Sequence, residues 1–344
     1  MNGPFDHSVT GSGYSRVMSI SHLFAILAGC SFSVAAAQVA PPVFTRPGPT
    51  FRVAEKDLSA KLTLIEYGDM RFTDPADVKD ANPSARKLLV ARIASEHPDA
   101  VQISGDVPLA GYREADYQEF SLETRIWHDE KLRIYPSLGN HELAGLNKAR
   151  DVENWWTAFP ELRGMRWYSV ALGQRVYLLN LDSDSDLKPG SAQRRWLEDQ
   201  VAHLDKSVKF VMIALHHPPV ADIQTHLEVD HNPRPNEISL RDYLSVVAKS
   251  SLARFVVVAG HIHNYERFEQ DGVAYFVSGG GGAKPYPVER TPADLYQSDD
   301  FPNFHYIRFV LDGMTLTGTM YRLADPTAEK PVWDARDSFS IVAK

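Results

Sequence analysis

Short runs of apolar residues, each ending in a small cluster of polar ones, recur along the chain from residue 61 onward. Each run has the length of a β-strand. Most of the runs do not alternate between apolar and polar positions, so they predict strands that are buried on both faces. The five runs are 62–67, 100–103, 132–135, 210–215 and 255–259.

Segments with helical periodicity separate several of these strands. In 84–96, for example, Leu88, Leu89 and Ile93 fall on one side of a helix. Strands that alternate with helices predict βαβ units in an α/β fold. The predicted helices are 84–96, 115–130, 193–205 and 239–248.

A second pattern appears in the middle and at the end of the chain. Apolar stretches at 167–172 and 175–181 flank Gly173-Gln174, which predicts an antiparallel hairpin. A further strand is predicted at 273–277, and two closing strands are predicted at about 304–311 and 314–322. Antiparallel pairs are therefore expected beside the βαβ units.

Side chains capable of chemistry stand at the ends of the five apolar runs. They are Asp69, Asp106, Asn140-His141, His216-His217 and His261 with His263. Ligands bind at the carboxyl ends of strands in open α/β sheets, so strand ends at one edge can bring these groups together. Carboxylate, amide oxygen and imidazole without thiolate suit a divalent metal such as Zn, Mn, Fe or Mg. The set is large enough for two ions.

Each of these motifs has a plainer interpretation when it is taken alone. Gly-Asp is common in turns, Gly-Asn-His-Glu fits a helix start capped by Asn140, and His-His-Pro-Pro fits a loop with exposed imidazoles. All five in one chain, each after an apolar run, favour a metal site. A glycine precedes Asp69, Asp106, Asn140 and His261, and we expect it to let the backbone turn sharply.

Composition excludes several classes of protein. The 344 residues are 44% hydrophobic and 23% charged, which is typical of a globular chain and not of a disordered or coiled-coil one. The net charge is -8, and with no stretch rich in Lys and Arg there is no nucleic-acid-binding signature. Cys30 is the single cysteine, so no disulfide can form within the chain.

The first residues have the pattern of an export signal. Arg16 precedes an apolar run at 23–30, and Ala35-Ala36-Ala37 fits a cleavage sequence, so residues 1–37 are predicted to be a secretory signal peptide. Leu27-Ala28-Gly29-Cys30 also resembles a bacterial lipoprotein signal, in which Cys30 becomes a lipid anchor. A buried N-terminal helix is the third alternative. The first two predict an exported protein, either periplasmic or secreted or held at a membrane by the lipid.

No transmembrane segment is predicted, because the apolar run is shorter than the ~20 residues that span a bilayer and no later stretch qualifies. Residues 38–55 contain four prolines within 41–49, which predicts an extended linker. The motifs run through most of the remainder. Residues 56–344 are therefore predicted to form a single catalytic domain.

Together the motifs resemble those of the calcineurin-like metallophosphoesterase superfamily, including its purple acid phosphatase branch. The resemblance covers about residues 60–325. It rests on Gly68-Asp69, Gly105-Asp106, Gly139-Asn140-His141-Glu142, His216-His217-Pro218 and Gly260-His261-Ile262-His263. The continuation Asn264-Tyr265-Glu266-Arg267 looks especially like the purple acid phosphatase version. The resemblance implies an α/β fold, a four-layer αββα sandwich of two mixed β-sheets flanked by helices, with a dinuclear site at one edge.

The same resemblance implies a role for each matching residue. Asp106 resembles the carboxylate that bridges both metals, and Asp69 and His263 resemble ligands of the first metal. Asn140, His216 and His261 resemble the other ligands of the second. His141 resembles an imidazole that assists the reaction without binding metal, and His217 is either a second such group or the neighbour of a ligand. The implied cofactors are two divalent or mixed-valence ions, Fe, Zn or Mn.

Two positions depart from the family pattern. Many members have a histidine two residues after the first aspartate, where this chain has Arg71. Purple acid phosphatases have a tyrosine three residues after the bridging aspartate, where this chain has Leu109. The first metal is therefore expected to lack its usual fourth ligand, and no iron–tyrosinate colour is expected. Arg71 either takes a catalytic part by holding a phosphate oxygen or pairs with a local carboxylate.

The expected activity is hydrolysis of a phosphate monoester of a small substrate by attack of a metal-bridging hydroxide. The first alternative is a phosphodiesterase acting on a nucleotide or a phospholipid head group. The second is a non-catalytic metal-containing module that binds phosphorylated ligands, which the missing fourth ligand supports. The segment 220–236, with His226 and His231, is expected to be either a cover over the site or a mobile surface loop.

Overall fold

The structure is a computed structural model, and it describes residues 48–225, 231–327 and 330–344. The expected signal peptide, Cys30, the first part of the expected linker and His226 lie outside the described residues. Within these ranges, no helix is long and apolar enough to cross a membrane.

The described residues contain thirteen strands and six α-helices. The strands are β1 (Phe51–Val53), β2 (Leu62–Tyr67), β3 (Ala100–Ile103), β4 (Ile134–Pro136), β5 (Tyr168–Leu172), β6 (Val176–Asn180), β7 (Phe210–Leu215), β8 (Arg254–Ala259), β9 (Tyr265–Gln270), β10 (Val273–Ser278), β11 (Phe304–Asp312), β12 (Thr315–Asp325) and β13 (Val332–Val342). The helices are α1 (Pro83–Ser95), α2 (Glu114–Glu123), α3 (Arg125–Asp129), α4 (Lys148–Ala158), α5 (Ala192–Ala202) and α6 (Pro235–Ser250).

The order of strands in the two sheets determines which strand ends meet. The first sheet has the order β1-β5-β6-β7-β8-β10-β9, and the second has the order β13-β12-β11-β2-β3-β4. Strands β6, β7 and β8 are parallel neighbours, and so are β2, β3 and β4. The hairpins β5/β6, β9/β10 and β11/β12 are antiparallel, so both sheets are mixed. Parallel neighbours place their carboxyl ends at one edge, which is where the polar clusters follow.

Helices cover the outer face of each sheet. On the first sheet, α5 and α6 share a buried apolar cluster with the strands. On the second, Trp127 of α3 lies edge-on to Tyr67 of β2, with 6.1 Å between ring centroids. Between the sheets, Phe276 of β10 meets Phe309 of β11 at 5.6 Å. The layers run helix, sheet, sheet, helix, so the predicted four-layer αββα sandwich is confirmed.

Four elements differ from the sequence prediction. The expected helix 115–130 is two helices, α2 and α3, and they meet at Thr124, whose hydroxyl donates to the Phe120 carbonyl at 2.6 Å. Such a bond competes with the regular helical pattern. The sequence pattern does not predict α4, the edge strand β9 or the final strand β13. About half of the β13 side chains are exposed, and the charged residues Asp334, Arg336 and Asp337 interrupt the apolar pattern of its sequence.

Part of the expected linker belongs to the sandwich. Residues 51–53 form β1, which pairs in parallel with β5, and a short 3₁₀ helix follows at Glu55–Asp57. The Phe51 ring lies edge-on to buried Tyr168, with centroids 5.8 Å apart. A three-residue strand is too short to show a periodicity, and the prolines before it dominate the local pattern. The linker assignment is therefore wrong for residues 51–55.

Candidate metal centre

Strand ends from both sheets meet at one edge of the sandwich. In the second sheet, the backbone N–H of Asp69 donates to the Gly105 carbonyl at 3.1 Å. In the first sheet, Gly260 donates to the His216 carbonyl at 3.0 Å. His216 also joins the two sheets, because its Nδ1 lies 3.0 Å from the Ser104 carbonyl. The fold therefore brings the predicted strand ends into contact.

Four residues at this edge have a left-handed backbone conformation. The φ angle is 60° at Asp69, 50° at Arg71, 55° at Asp106 and 72° at His261. For residues with a side chain, this conformation costs roughly 1–3 kcal/mol each. Only three other non-glycine residues in the described ranges have a positive φ. Backbone strain is therefore concentrated where these side chains converge.

The glycines before these residues make room for neighbouring side chains. A Cβ atom on Gly139 would lie 2.3 Å from Asp106 Oδ1, and one on Gly260 would lie 2.3 Å from Asp69 Oδ2. Of the four glycines singled out by sequence, only Gly105 has a left-handed φ, at 91°. The expectation of a sharp turn is wrong at the other three, since close approach is what requires glycine there.

Asp69 and Asp106 form the acidic part of the centre. Both are fully buried, and one ligand atom from each lies within 4.8 Å of the other and of a His216 nitrogen. Burial raises the pKa of Asp69 well above its ordinary value, and the negative charge of Asp106 raises it further. Two carboxylates this close repel each other when both are ionised. A cation near both would relieve that repulsion.

A second group of ligand atoms lies beside the first and shares His216 with it. His216 Nε2 lies 2.9 Å from Asn140 Oδ1 and 3.3 Å from Asp106 Oδ1. His261 Nδ1 lies 3.2 Å from both Asn140 Oδ1 and His216 Nε2. One nitrogen from each of His216, His217 and His261 lies within 4.8 Å of the others. The centre therefore has two overlapping groups of donors, enough for two ions.

Backbone carbonyls fix the rings of two histidines. His216 Nδ1 donates to the Ser104 carbonyl at 3.0 Å, and His263 Nδ1 donates to the Lys284 carbonyl at 2.7 Å. A carbonyl can only accept, so the proton lies on Nδ1 and Nε2 keeps its lone pair. Burial lowers the pKa of His216, and it lowers the pKa of His263 well below its ordinary value. Both rings thus present a neutral Nε2, the form that binds metals.

The residues of the centre fit a metal ion. Asp106 Oδ2 and His263 Nε2 are buried and have no hydrogen-bond partner among the described residues, which is rare for buried polar atoms. His263 Nε2 also lies 3.5 Å from Asp69 Oδ1. The donors are those that divalent ions such as Zn, Fe and Mn accept. The predicted ligands that lie in this centre are Asp69, Asp106, Asn140, His216, His261 and His263, and His217 adds a further nitrogen beside them.

Arg71 lies inside the centre. Its Nη2 is 3.5 Å from Asp106 Oδ2, and its side chain is 18% exposed. The local carboxylate expected for Arg71 is therefore Asp106 itself. Its Nε has no hydrogen-bond partner among the described residues, so the guanidinium keeps a donor for a further group.

His141 stands next to Asp106. Its backbone N–H donates to Asp106 Oδ1 at 3.0 Å, and its Nε2 lies 3.8 Å from Asp106 Oδ2. Its Nδ1 donates to the Leu109 carbonyl at 2.5 Å. Leu109 stands at the tyrosine position of purple acid phosphatases, and its backbone carbonyl orients the His141 ring. Tyr112 is 44% exposed, and its ring lies against the Arg113 guanidinium.

Glu142 joins the two loops that carry Asp106 and Asn140. Its buried carboxylate accepts the backbone N–H groups of Asp106 at 3.0 Å, Val107 at 2.8 Å and Gly139 at 2.7 Å. Burial and the charge of Asp106 raise the pKa of Glu142 to about 8, although the three N–H groups act in the opposite direction. The only sequence signal for this clamp is its place in the Gly-Asn-His-Glu motif.

His217 borders the second group of donors. Its ring centroid lies 4.3 Å from that of His261 and 4.9 Å from that of His216. Its Nδ1 lies 2.8 Å from Oγ of Ser183, which follows β6. Because β6 is the parallel neighbour of β7, Asp182-Ser183 forms a sixth polar strand end. It is not among the predicted site residues, although the rule of polar strand ends, applied to the run 175–181, identifies it.

Tyr286 and His231 form one wall of the centre. The Tyr286 ring lies 5.0 Å from the rings of both His231 and His263, and its hydroxyl donates to the His261 carbonyl at 2.9 Å. His231 is 8% exposed, and its ring lies 4.9 Å from that of His261. The surface-loop alternative is therefore wrong for His231. No sequence pattern marks Tyr286, because it follows neither a strand nor a motif.

The segment that carries the predicted site residues is similar to known proteins. A family model described as calcineurin-like phosphoesterase matches residues 68–265, which include every predicted site residue. A curated protein of Arabidopsis thaliana, "Probable purple acid phosphatase 20", is 28% identical over 115 residues. That match covers 31% of this chain and 26% of the relative, so this chain spans only part of the length of that protein.

Two solved structures share the fold. Purple acid phosphatase PPD1 from seeds of yellow lupin, Lupinus luteus, matches with a TM-score of 0.65 at 18% identity, covering 83% of this chain and 54% of that one. PhoD matches with a TM-score of 0.59 at 14% identity, covering 86% of this chain and 71% of that one. Both matches extend over nearly all of the sandwich.

The Glu142 clamp predicts a loss of stability on substitution. Glu142→Gln keeps the shape but replaces an accepting oxygen by an amide N–H₂ group, so at least one buried backbone N–H loses its partner. We expect the free energy of unfolding of metal-stripped protein to fall by about 1–3 kcal/mol in urea titration. Glu153→Gln, at an exposed ion pair with Arg163, should stay within about 0.5 kcal/mol. Equal stability of the two variants would contradict the clamp.

Proposed function

The chain belongs to the calcineurin-like phosphoesterase family, and from this premise we propose that it is a metal-dependent hydrolase of phosphoric esters. One observation carries the proposal: buried and half-buried carboxylate, amide and imidazole groups from five strand ends converge at one edge of the sandwich. Asp106 Oδ2 and His263 Nε2 lack partners there, among the described residues. A bound cation would satisfy both atoms.

The six predicted ligands would hold two ions, with Fe, Zn and Mn suited to the donors. Asp69 and His263 would serve the first ion, Asn140, His216 and His261 would serve the second, and Asp106 would serve both. When bound, such ions lower the pKa of coordinated water and neutralise charge on a phosphoryl group. The neutral Nε2 atoms of His216 and His263 support this assignment.

Arg71 would bind a phosphoryl oxygen of the substrate. Its guanidinium is held beside Asp106 at 3.5 Å and is mostly shielded from solvent, so its charge is weakly screened. The unpartnered Nε and the planar fork suit an oxyanion. Arg71 would thereby orient the phosphoryl group against the acidic pair.

His141 would hold the proton that the leaving group takes. The Leu109 carbonyl fixes the Nδ1 proton, so a second proton can bind only at Nε2, on the side of Asp106. The Asp106 carboxylate lies 3.8 Å from this nitrogen. General acid assistance of this kind contributes about 10²–10⁴-fold.

We favour a small phosphate monoester as the substrate. A monoester carries up to two negative charges and a diester carries one, so the fixed positive charge of Arg71 favours the monoester. The phosphodiesterase and the non-catalytic binding module are the alternatives that kinetic measurements would distinguish.

Substitution of Asn140 tests the enzymatic proposal. With Mn, Zn or Fe added, wild-type protein should hydrolyse a phosphomonoester faster than a matched phosphodiester. Asn140→Ala should lower kcat/KM at least about 100-fold, since even an outer partner of a metal ligand is worth about 10–100-fold. Asn147→Ala, which removes an exposed helix cap of α4, should retain activity. If wild-type protein hydrolyses neither ester with any metal, the enzymatic proposal is contradicted and the non-catalytic binding module is favoured. Faster hydrolysis of the diester would favour the phosphodiesterase.

Substitution of Arg71 tests its contact with phosphate. Arg71→Ala should weaken inhibition by inorganic phosphate about 10- to 100-fold, the loss expected for a hydrogen-bonded charge, with bound metal unchanged by elemental analysis. Arg125→Ala removes an exposed arginine far less buried than Arg71 and should leave inhibition unchanged. If Arg71→His instead raises the bound metal while phosphate inhibition stays the same, Arg71 acts on the metal site.

We further propose that the protein is exported and that its catalytic unit begins with β1, five residues before the position expected from the sequence. Export rests on the pattern of residues 1–37. Mass spectrometry of the mature N-terminus distinguishes the alternatives: cleavage predicts a chain starting at Gln38, and a lipoprotein predicts an acylated Cys30. An intact Met1 in exported fractions would contradict both.

A further inference from the structure

His217 differs from His216 and His263 in the group that fixes its ring. Those two histidines donate Nδ1–H to backbone carbonyls. His217 Nδ1 instead lies 2.8 Å from Oγ of Ser183, and the same oxygen accepts the backbone N–H of His217 at 3.1 Å. Ser183 is 1% exposed and His217 is 6% exposed, so the contact is shielded from solvent.

The hydroxyl proton of Ser183 decides which nitrogen of His217 is protonated. Within the part of the chain that the structure describes, Ser183 Oγ contacts only the backbone N–H and Nδ1 of His217, and of these only Nδ1 can accept. A buried hydroxyl without an acceptor is unfavourable, so Oγ–H donates to Nδ1. Nδ1 is then unprotonated, and the neutral ring carries its proton on Nε2.

Surrounding contacts maintain this arrangement. Arg234 Nη2 and Asn236 Nδ2 donate to the Ser183 carbonyl at 2.7 and 3.0 Å, which fixes the backbone that carries the hydroxyl. Because Nδ1 accepts the Ser183 hydroxyl, the ring carries one N–H group, on Nε2, and is neutral.

We infer that Ser183 is a positioning residue that makes His217 a neutral hydrogen-bond donor, through Nε2–H, to a phosphoryl oxygen of the substrate. The ring lies 4.3 Å from His261, so the donor stands beside the residues that would hold the second metal. A protonated nitrogen cannot bind a cation. If His217 were instead a metal ligand with His216 and His261, its proton would lie on Nδ1, and the Ser183 hydroxyl would have no acceptor among the described residues.

The state of the His217 ring can be measured without metal or substrate. Full-length, metal-stripped protein labelled with ¹⁵N-histidine is studied by NMR, and the His217→Gln variant identifies the His217 signals. We expect an unprotonated Nδ1 and a protonated Nε2. Ser183→Ala should shift both signals towards a mixture of tautomers, and Ser183→Thr should restore them. Ser185→Ala removes a neighbouring hydroxyl that bonds Asp182 and should change nothing. A protonated Nδ1 in wild type would overturn the inference.

Metal content and kinetics then separate a donor from a ligand. After loading with Zn, His217→Gln should bind as many ions as wild type, because a donor is not a ligand. His217→Ala and Ser183→Ala should lower kcat about 10- to 100-fold, and Ser183→Thr should recover most of it. Loss of an ion in His217→Gln would overturn the inference. The phosphoryl contact rests on the proposed function, whereas the tautomer of His217 does not. Absence of phosphoester turnover would therefore refute the proposed function, and the NMR result alone would decide which nitrogen of His217 is protonated.

Discussion

Two carboxylates buried side by side determine the arrangement of the whole centre. An ionised carboxylate out of water costs several kcal/mol unless it is paired, and Asp69 and Asp106 are both fully buried. The protein compensates in part, since the His261 backbone N–H donates to Asp69 and the Arg71 guanidinium faces Asp106. Asp106 Oδ2 still lacks a hydrogen-bond partner in the described structure. Further positive charge is what the pair requires, and it is what a metal centre supplies.

This pair can exist only because the surrounding backbone is held in unfavourable shapes. Asp69 and Asp106 themselves have a left-handed backbone conformation. Gly139 and Gly260, which lack a side chain, leave the space that the two carboxylates fill. Such strain persists where the surroundings over-determine it. Here the loops are the continuations of buried parallel strands, and Glu142 joins two of them through three N–H groups. The rigid sandwich therefore holds the strained backbone at its edge in place.

The hydrophobic pattern predicts an α/β fold and most of the residues at its edge for a physical reason, whereas the four-layer sandwich follows only from the family resemblance. Strands buried on both faces appear as continuous apolar runs, so their ends are visible, and the ends carry the donors. Short or one-sided edge strands such as β1 and β13 leave no such signal. Arg71 could be singled out, but its partner could not, because the contact with Asp106 joins separate loops. Tyr286 follows neither a strand nor a motif, so its role depends on a contact across the fold. Ser183 differs, because it follows a predicted strand and the strand-end rule identifies it. Sequence also cannot tell a glycine needed for its φ angle from one needed for its lack of a side chain.

The two adjacent histidines show how neighbouring strand ends can give one residue type two roles. His216 and His217 directly follow β7, and their rings lie edge-on to each other with centroids 4.9 Å apart. His216 reaches across to the second sheet, where the Ser104 carbonyl accepts the hydrogen bond of its Nδ1–H, so the lone pair of Nε2 is available to a cation. His217 stays with its own sheet, where the Ser183 hydroxyl occupies Nδ1. In the arrangement that we infer, this places the proton on Nε2. Whether Nε2 of such an imidazole accepts or donates at the centre thus depends on the partner of Nδ1. That partner depends in turn on which neighbouring strand end the ring contacts.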